Sequence, residues 1–177
     1  MRGNTRHRIG LVLLAGALLV PTTGGAQAPA RLRVGTFDSR LVALAYYRSP
    51  ATREWMKALR ADIEKAKAAN DEKRVKELEA QGPARQSLMH LQVFSNGSIS
   101  NVTSVIADRL PAIAAAAGVS AIVSKWELPY AETTVEQVDV TAQIAALFDP
   151  DDATRKMMES MKSQKPMSFV AALAIKD

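Results

Sequence analysis

Residues 76–85 read Lys76-Glu77-Leu78-Glu79-Ala80-Gln81-Gly82-Pro83-Ala84-Arg85, and the reading of the Gly-Pro pair decides the fold. Glycine suits the position just past a helix C-terminus, where the backbone turns left-handed. Proline suits the first turn of the next helix, where its missing N–H is not needed. One helix is therefore expected to end here and another to begin. Upstream, residues 51–81 are rich in Ala, Lys, Glu, Arg, Leu and Met, all strong helix formers. Trp55, Leu59, Ile63 and Ala66 recur at helical spacing, and Glu72 and Lys76 form an i,i+4 pair that supports the helix. So narrow an apolar stripe belongs to a helix solvated around most of its circumference. Downstream, Leu88, Leu91, Val102, Ile106, Leu110 and Ile113 carry the apolar pattern as far as Gly118. Each half holds roughly 30–35 residues, or about 45–50 Å of helix. The expectation is an antiparallel hairpin over residues 51–117 with its tip at Gly82-Pro83. A tip at Asn70-Asp71 would leave the halves unequal.

Two features interrupt the second half. Ser95-Asn96-Gly97-Ser98 is a run of poor helix formers, costing about 2 kcal/mol relative to alanine; a continuous but soft helix is expected there. Pro111 is expected to kink the helix near its base.

Strand-like segments lie on both outer sides. Residues 32–37 alternate and end in β-formers. Asp38 or Ser39 can cap a short helix over 40–47, and Ser49-Pro50 suits the cap and first position of the next. After Gly118, Ala121-Ile122-Val123 reads as a buried strand and residues 135–140 as another. Asp139 or Thr141 can cap a helix over 142–148, and residues 153–164 read as a Met-rich amphipathic helix. The fold class is thus α+β and mostly α, a long hairpin arm inserted into a small β body.

Export is expected. Arg2, Arg6 and Arg8 precede the apolar run Ile9 to Val20, followed by Pro21 and the small residues Gly24, Gly25 and Ala26. That is the layout of a signal peptide cleaved after Ala26, and a run of about 12 residues is too short to span a bilayer. The domains read as 1–26 signal peptide, 27–50 first strand and short helix, 51–117 arm, 118–149 closing strands and helix, and 150–177 C-terminal extension. The full chain has 23 basic and 18 acidic residues. Residues 27–177 hold 20 basic and 18 acidic, because the three arginines of the signal segment are removed. A charge of +2 points away from nucleic acid and allows at most weak contact with a membrane surface. With no cysteine, disulfides, thiol chemistry and thiolate metal sites are excluded.

Catalytic constellations are missing. His90 is the one histidine beyond the signal segment and has no carboxylate three or four residues away. Asp149, Asp151 and Asp152 lack the spacing of a calcium loop and are expected to cap the following helix. Without a histidine partner, no serine has the usual activation. No enzyme, cofactor or metal is expected. Met157, Met158, Met161 and Met167 are expected to pack against the chain's own helices.

Val34-Gly35-Thr36-Phe37-Asp38-Ser39-Arg40-Leu41-Val42 resembles the first strand, acidic residue and short helix of the Skp/OmpH-like family of periplasmic chaperones. Gly118 to Val123, Pro129-Tyr130 and Val138-Asp139-Val140-Thr141 resemble its closing strand pair and last helix. The order of elements agrees over residues 31–149. The resemblance implies a homotrimer whose strands build a shared body and whose hairpins enclose unfolded outer-membrane proteins without ATP. It places Val34, Phe37, Ile122, Val123, Val138 and Val140 in the oligomeric body. On the arm, Leu88, Leu91 and Val93 are the candidate client-binding positions. A body of three short strands and two small helices would bury too little surface alone, which argues for assembly independently. The alternative function is an envelope scaffold of the same fold that recognises a folded partner through residues 150–177. The arm is close to neutral: residues 51–90 hold nine basic and seven acidic residues, and residues 91–118 only Asp108 and Arg109.

Overall fold

Strand β1, Arg33–Phe37, lies at the centre of a three-stranded sheet between β2, Ala121–Ser124, and β3, Glu136–Asp139. These coordinates come from a computed structural model, which describes residues 32–175. The expected signal peptide lies outside the described residues. Both outer strands run parallel to β1, with Gly35 opposite Ile122 on one side and Val138 on the other. The closing strands therefore do not pair with each other. They flank β1, and residues 125–135 carry the chain past it, as a parallel arrangement requires.

The helices follow local signals. Asp38 caps α1, Ser39–Tyr47, and Ser49 caps α2, Pro50–Ala68, which starts on its proline. The chain then reverses at Ala69-Asn70-Asp71. Asn70 takes a left-handed backbone (φ 55°), which asparagine tolerates better than most residues. The Asp71 N–H donates to the Ala66 carbonyl, closing the end of α2. The Asp71 carboxylate accepts from the Arg74 N–H and caps α3, Glu72–Glu79. The expected tip at Gly82-Pro83 is thus corrected. Helix α4, Gln81–Phe94, follows α3 after a single residue, Ala80, whose backbone is itself helical. Pro83 falls in the first turn of α4, where it disturbs nothing, so Gly-Pro starts a helix without reversing the chain.

The long hairpin over 51–117 is corrected as well. Only α3 packs along α2, whereas α4 packs on α1 and reaches the start of α2 through Arg85. Residues 95–99 break the helix, against the expected continuous one. The Gly97 N–H reaches back to the Leu91 carbonyl, and the Gln92 side-chain amide donates to Ser98 O and Asn101 Oδ1, both at 2.6 Å. A Cβ on Gly97 would sit 3.0 Å from the Leu91 carbonyl oxygen, so glycine permits this close approach. Helix α5, Ser100–Thr103, a 3₁₀ turn at Ser104–Ile106, and α6, Leu110–Ala117, then lead back to the sheet. Pro111 kinks nothing; it lies in the first turn of α6. Gly118 ends α6 in the left-handed region (φ 63°).

Helix α7, Thr141–Ala146, follows β3, with Asp139 accepting from the Thr141 N–H. Asp151 caps α8, Asp152–Met161, and Ser168 caps α9, Phe169–Leu173. The fold is α+β and mostly helical, with one small parallel sheet.

Among the described residues, two separate hydrophobic clusters hold it together. The body core joins Phe37, Leu41, Leu44, Val93, Val102, Ile106, Val140, Ile144, Phe148 and Met161, drawn from both ends of the chain. The second cluster is the seam of the hairpin, where Leu59 and Ala66 of α2 meet Leu78 of α3, flanked by Trp55, Ile63 and Val75. The body core is larger than two small helices would supply, because α4, α5, α6 and α8 all contribute to it.

Candidate functional site

The carboxyl ends of the three strands converge on Asp38, and in open parallel sheets this edge is where ligands bind. Asp38 is 1% exposed. Its Oδ1 accepts from the Arg40 backbone N–H and Nε, both at 3.1 Å, and from the Trp126 indole N–H at 2.9 Å. Its Oδ2 accepts from Arg40 Nη2 at 2.9 Å and Lys125 Nζ at 2.8 Å. The Asp38 N–H donates to Thr141 Oγ1, which donates in turn to Asp139 Oδ1. Arg40 and Lys125 both lie over the Trp126 ring, at 4.8 and 4.7 Å from its centre. The end of β1, the residues after β2 and the start of α7 are thereby tied to one carboxylate.

Burial alone would push the Asp38 carboxyl up, but the donors from Arg40, Lys125 and Trp126 outweigh it and hold the pKa at about 2. A carboxylate held this low carries no proton near neutral pH, and its donors tie three chain segments together.

The client-binding candidates are placed unequally. Leu88 is 40% exposed on α4, whereas Val93 is 2% exposed and belongs to the body core. Leu91 is half-buried. Of these three candidates, Leu88 alone presents substantial apolar surface. At the base of the hairpin, the Arg85 guanidinium lies over Trp55 at 4.4 Å, Tyr47 at 5.2 Å and Tyr46 at 5.4 Å. It also donates to Thr52 Oγ1. This cation–π cluster fastens α4 to α1 and α2. Sequence spacing did not single out Arg85, Lys125 or Trp126, because their partners lie 30 to 90 residues away.

Among the oligomer-body candidates, Phe37 and Val140 are buried, while Val34, Ile122, Val123 and Val138 are half-buried. Phe37, Ile122 and Val123 share a cleft of about 390 Å³ with Leu110 and Ile144.

His90 is buried on α4, its ring 5.8 Å from that of Phe94. Asp151 caps α8 through the Thr154 N–H, as expected of that acidic group, whereas Asp149 takes a left-handed backbone after α7. Met161 is buried and Met158 packs against the core, while Met157 and Met167 are exposed. Among the described residues, no group of three or more His, Asp or Glu could hold a metal ion, and no helix is long and apolar enough to cross a membrane.

Comparison with known proteins finds no matching family model, no matching curated protein and no matching solved structure.

Proposed function

We propose that this chain is an ATP-independent periplasmic holdase that binds unfolded outer-membrane proteins among the helical arms of a homotrimer. The observation that carries the reading is the separation of the hairpin seam from the body core. A helix pair with its own narrow seam and an otherwise solvated surface is an arm, and its span offers contact to a client without contributing to the core. Many weak contacts from several arms add up through effective concentration. The order of strand, short helix, hairpin and closing strands supports the Skp/OmpH-like reading. A hairpin shorter than the sequence suggested implies a shallower cavity.

Assembly is supported by the outer edges of β2 and β3, which pair with no further strand among the described residues. Unpaired edges are natural places for another chain to add. The core itself is large enough that a shortage of buried surface no longer argues for the trimer. The test is suppression of aggregation of an unfolded outer-membrane β-barrel protein at stoichiometric amounts, alongside mass measurement in solution. No suppression would end the holdase reading, and a monomer would remove the cavity.

A second reading is an envelope scaffold that recognises a folded partner through its C-terminal extension. It is favoured by the exposed Phe169, Val170 and Leu173. Deleting residues 168–177 separates the two readings: holdase activity survives under the first, and specific partner binding is lost under the second.

A further inference from the structure

Asn96 is the one asparagine in the sequence that precedes a glycine. The side-chain carbonyl carbon of an asparagine is open to attack by the backbone nitrogen of the next residue, and a Cβ on that residue hinders the approach. Glycine has none. Regular helix holds the two groups apart, so the reaction also needs an irregular segment. Residue 96 meets both conditions: it is exposed and lies in the irregular stretch 95–99 between α4 and α5.

The other asparagines among the described residues are shielded. Asn70 precedes Asp71, whose N–H is held by the Ala66 carbonyl at 3.0 Å. Asn101 lies inside α5, and its Oδ1 accepts from the Gln92 amide. It precedes the β-branched Val102, whose N–H donates to the Ile99 carbonyl at 2.8 Å. The Gly97 N–H makes the longest of these three bonds, 3.2 Å to the Leu91 carbonyl. The fold needs the glycine, because a Cβ there would sit 3.0 Å from that carbonyl oxygen. The residue that lets α4 end thus leaves the neighbouring amide unshielded.

We propose that Asn96-Gly97 is a site of spontaneous deamidation, gated by local opening of residues 95–99. The Gly97 nitrogen gives up its proton and bonds to Asn96 Cγ, and the side-chain amide nitrogen leaves as ammonia, closing a succinimide ring. Water then opens the ring at either carbonyl. One product is aspartate; the other is isoaspartate, whose backbone runs through the former side chain. Isoaspartate lengthens the main chain by one carbon just ahead of Ser98, whose carbonyl accepts from the Gln92 amide at 2.6 Å. The modification therefore acts on the bonds that end α4. Opening is restrained by the Gly97 N–H bond and by Ser95 Oγ, which donates to the Met167 carbonyl at 2.8 Å. None of this rests on the chaperone reading.

The test is incubation of the folded chain in mildly alkaline buffer, followed by peptide mass spectrometry and labelling with an isoaspartate-specific methyltransferase. The tryptic peptide 86–109 holds both Asn96 and Asn101, so fragmentation assigns the site. The expected result is the amide-to-acid mass gain at residue 96, with methyltransferase labelling that Asn96→Gln abolishes. Ser95→Ala should speed the gain about fivefold, the factor that one lost hydrogen bond of ordinary net strength gives. Equal gain at Asn70 or Asn101 overturns the proposal. So does no gain at Asn96 in the folded chain once the same chain in urea has acquired it, or a rate indifferent to Ser95→Ala. Site assignment in the parent chain decides the matter even where Ser95→Ala fails to fold.

Discussion

The indole N–H of Trp126 donates to Oδ1 of Asp38 at 2.9 Å, joining positions 88 residues apart. That bond ties the residues after β2 to the cap of α1, and it shares its acceptor with Arg40. The Arg40 and Asp38 side chains are 2% and 1% exposed. A buried pair of this kind adds little net stability, but breaking it strands a charge.

Asp38→Asn is accordingly expected to destabilise the protein by about 3–5 kcal/mol at neutral pH, measured by urea denaturation. The pH dependence has a definite sign. Asp38 titrates at about 2 in the folded chain, below its ordinary value. Its contribution is complete above about pH 4 and is lost as pH falls through about 2, amounting to roughly 2 kcal/mol. The gap between wild type and Asp38→Asn should therefore narrow between about pH 4 and pH 2. A gap that stays constant over that range would mean the carboxylate is not held by these donors.

Substitutions at the two candidate tips give opposite expectations. Gly82 sits in the first turn of α4, and apart from its chain neighbours a Cβ there meets nothing within 4 Å. Gly82→Ala should therefore stabilise, but by less than the usual gain of about 0.5–1 kcal/mol, because a Cβ before Pro83 crowds its ring. Asn70 holds the left-handed position at the actual reversal, so Asn70→Val should destabilise by about 1–3 kcal/mol. Thermal unfolding of both variants decides the matter; a destabilising Gly82→Ala would restore the reversal to Gly82-Pro83.

The same contrast explains what was legible in advance. Caps are local, so Asp38, Ser49-Pro50, Gly118 and Asp151 could be read from adjacent residues, and the structure uses each of them. The tip was misread because Gly-Pro and Asn-Asp are both valid punctuation. Tertiary packing of Leu78 on Leu59 and Ala66 decided between them. The parallel order of the sheet and the cluster around Asp38 were hidden for a different reason. Both depend on pairings across 85 to 105 residues, which no spacing rule reaches.

The break after α4 rests on Gln92, a buried polar residue inside the body. Its Oε1 accepts from the Tyr47 hydroxyl at 2.8 Å while its amide holds Ser98 and Asn101. Tyr47→Phe keeps the ring and leaves that buried oxygen short of a donor. The expected cost is about 1–3 kcal/mol, accompanied by faster amide exchange across residues 95–99. If exchange there is unchanged, the segment is held by Gly97 and the residues around Met167 without help from Tyr47.

The C-terminal extension is two things joined in sequence, and truncations should separate them. Helix α8 belongs to the body: Met161 lies in the core, its carbonyl accepts from Arg40 Nη2, and Arg48 Nε donates to Thr154 Oγ1. Met167 still serves the fold, since its N–H donates to the Phe94 carbonyl and its own carbonyl accepts from Ser95 Oγ. Beyond it, Ala172 is the one fully buried side chain of α9. Removing residues 150–177 should therefore strip the core of Met161 and take from Arg40 and Ser95 the carbonyl acceptors of Met161 and Met167. The expected loss is about 4 kcal/mol or more, because Met161 alone accounts for 2–5 on removal to alanine. Removing residues 168–177 takes little from the core and should lower stability by no more than about 1 kcal/mol, since it uncovers little more than one alanine on α4. Urea titrations of both truncations measure the difference. Equal losses would mean that α9 is as integral to the body as α8, and its outward-facing Phe169, Val170 and Leu173 would then need an explanation within the fold.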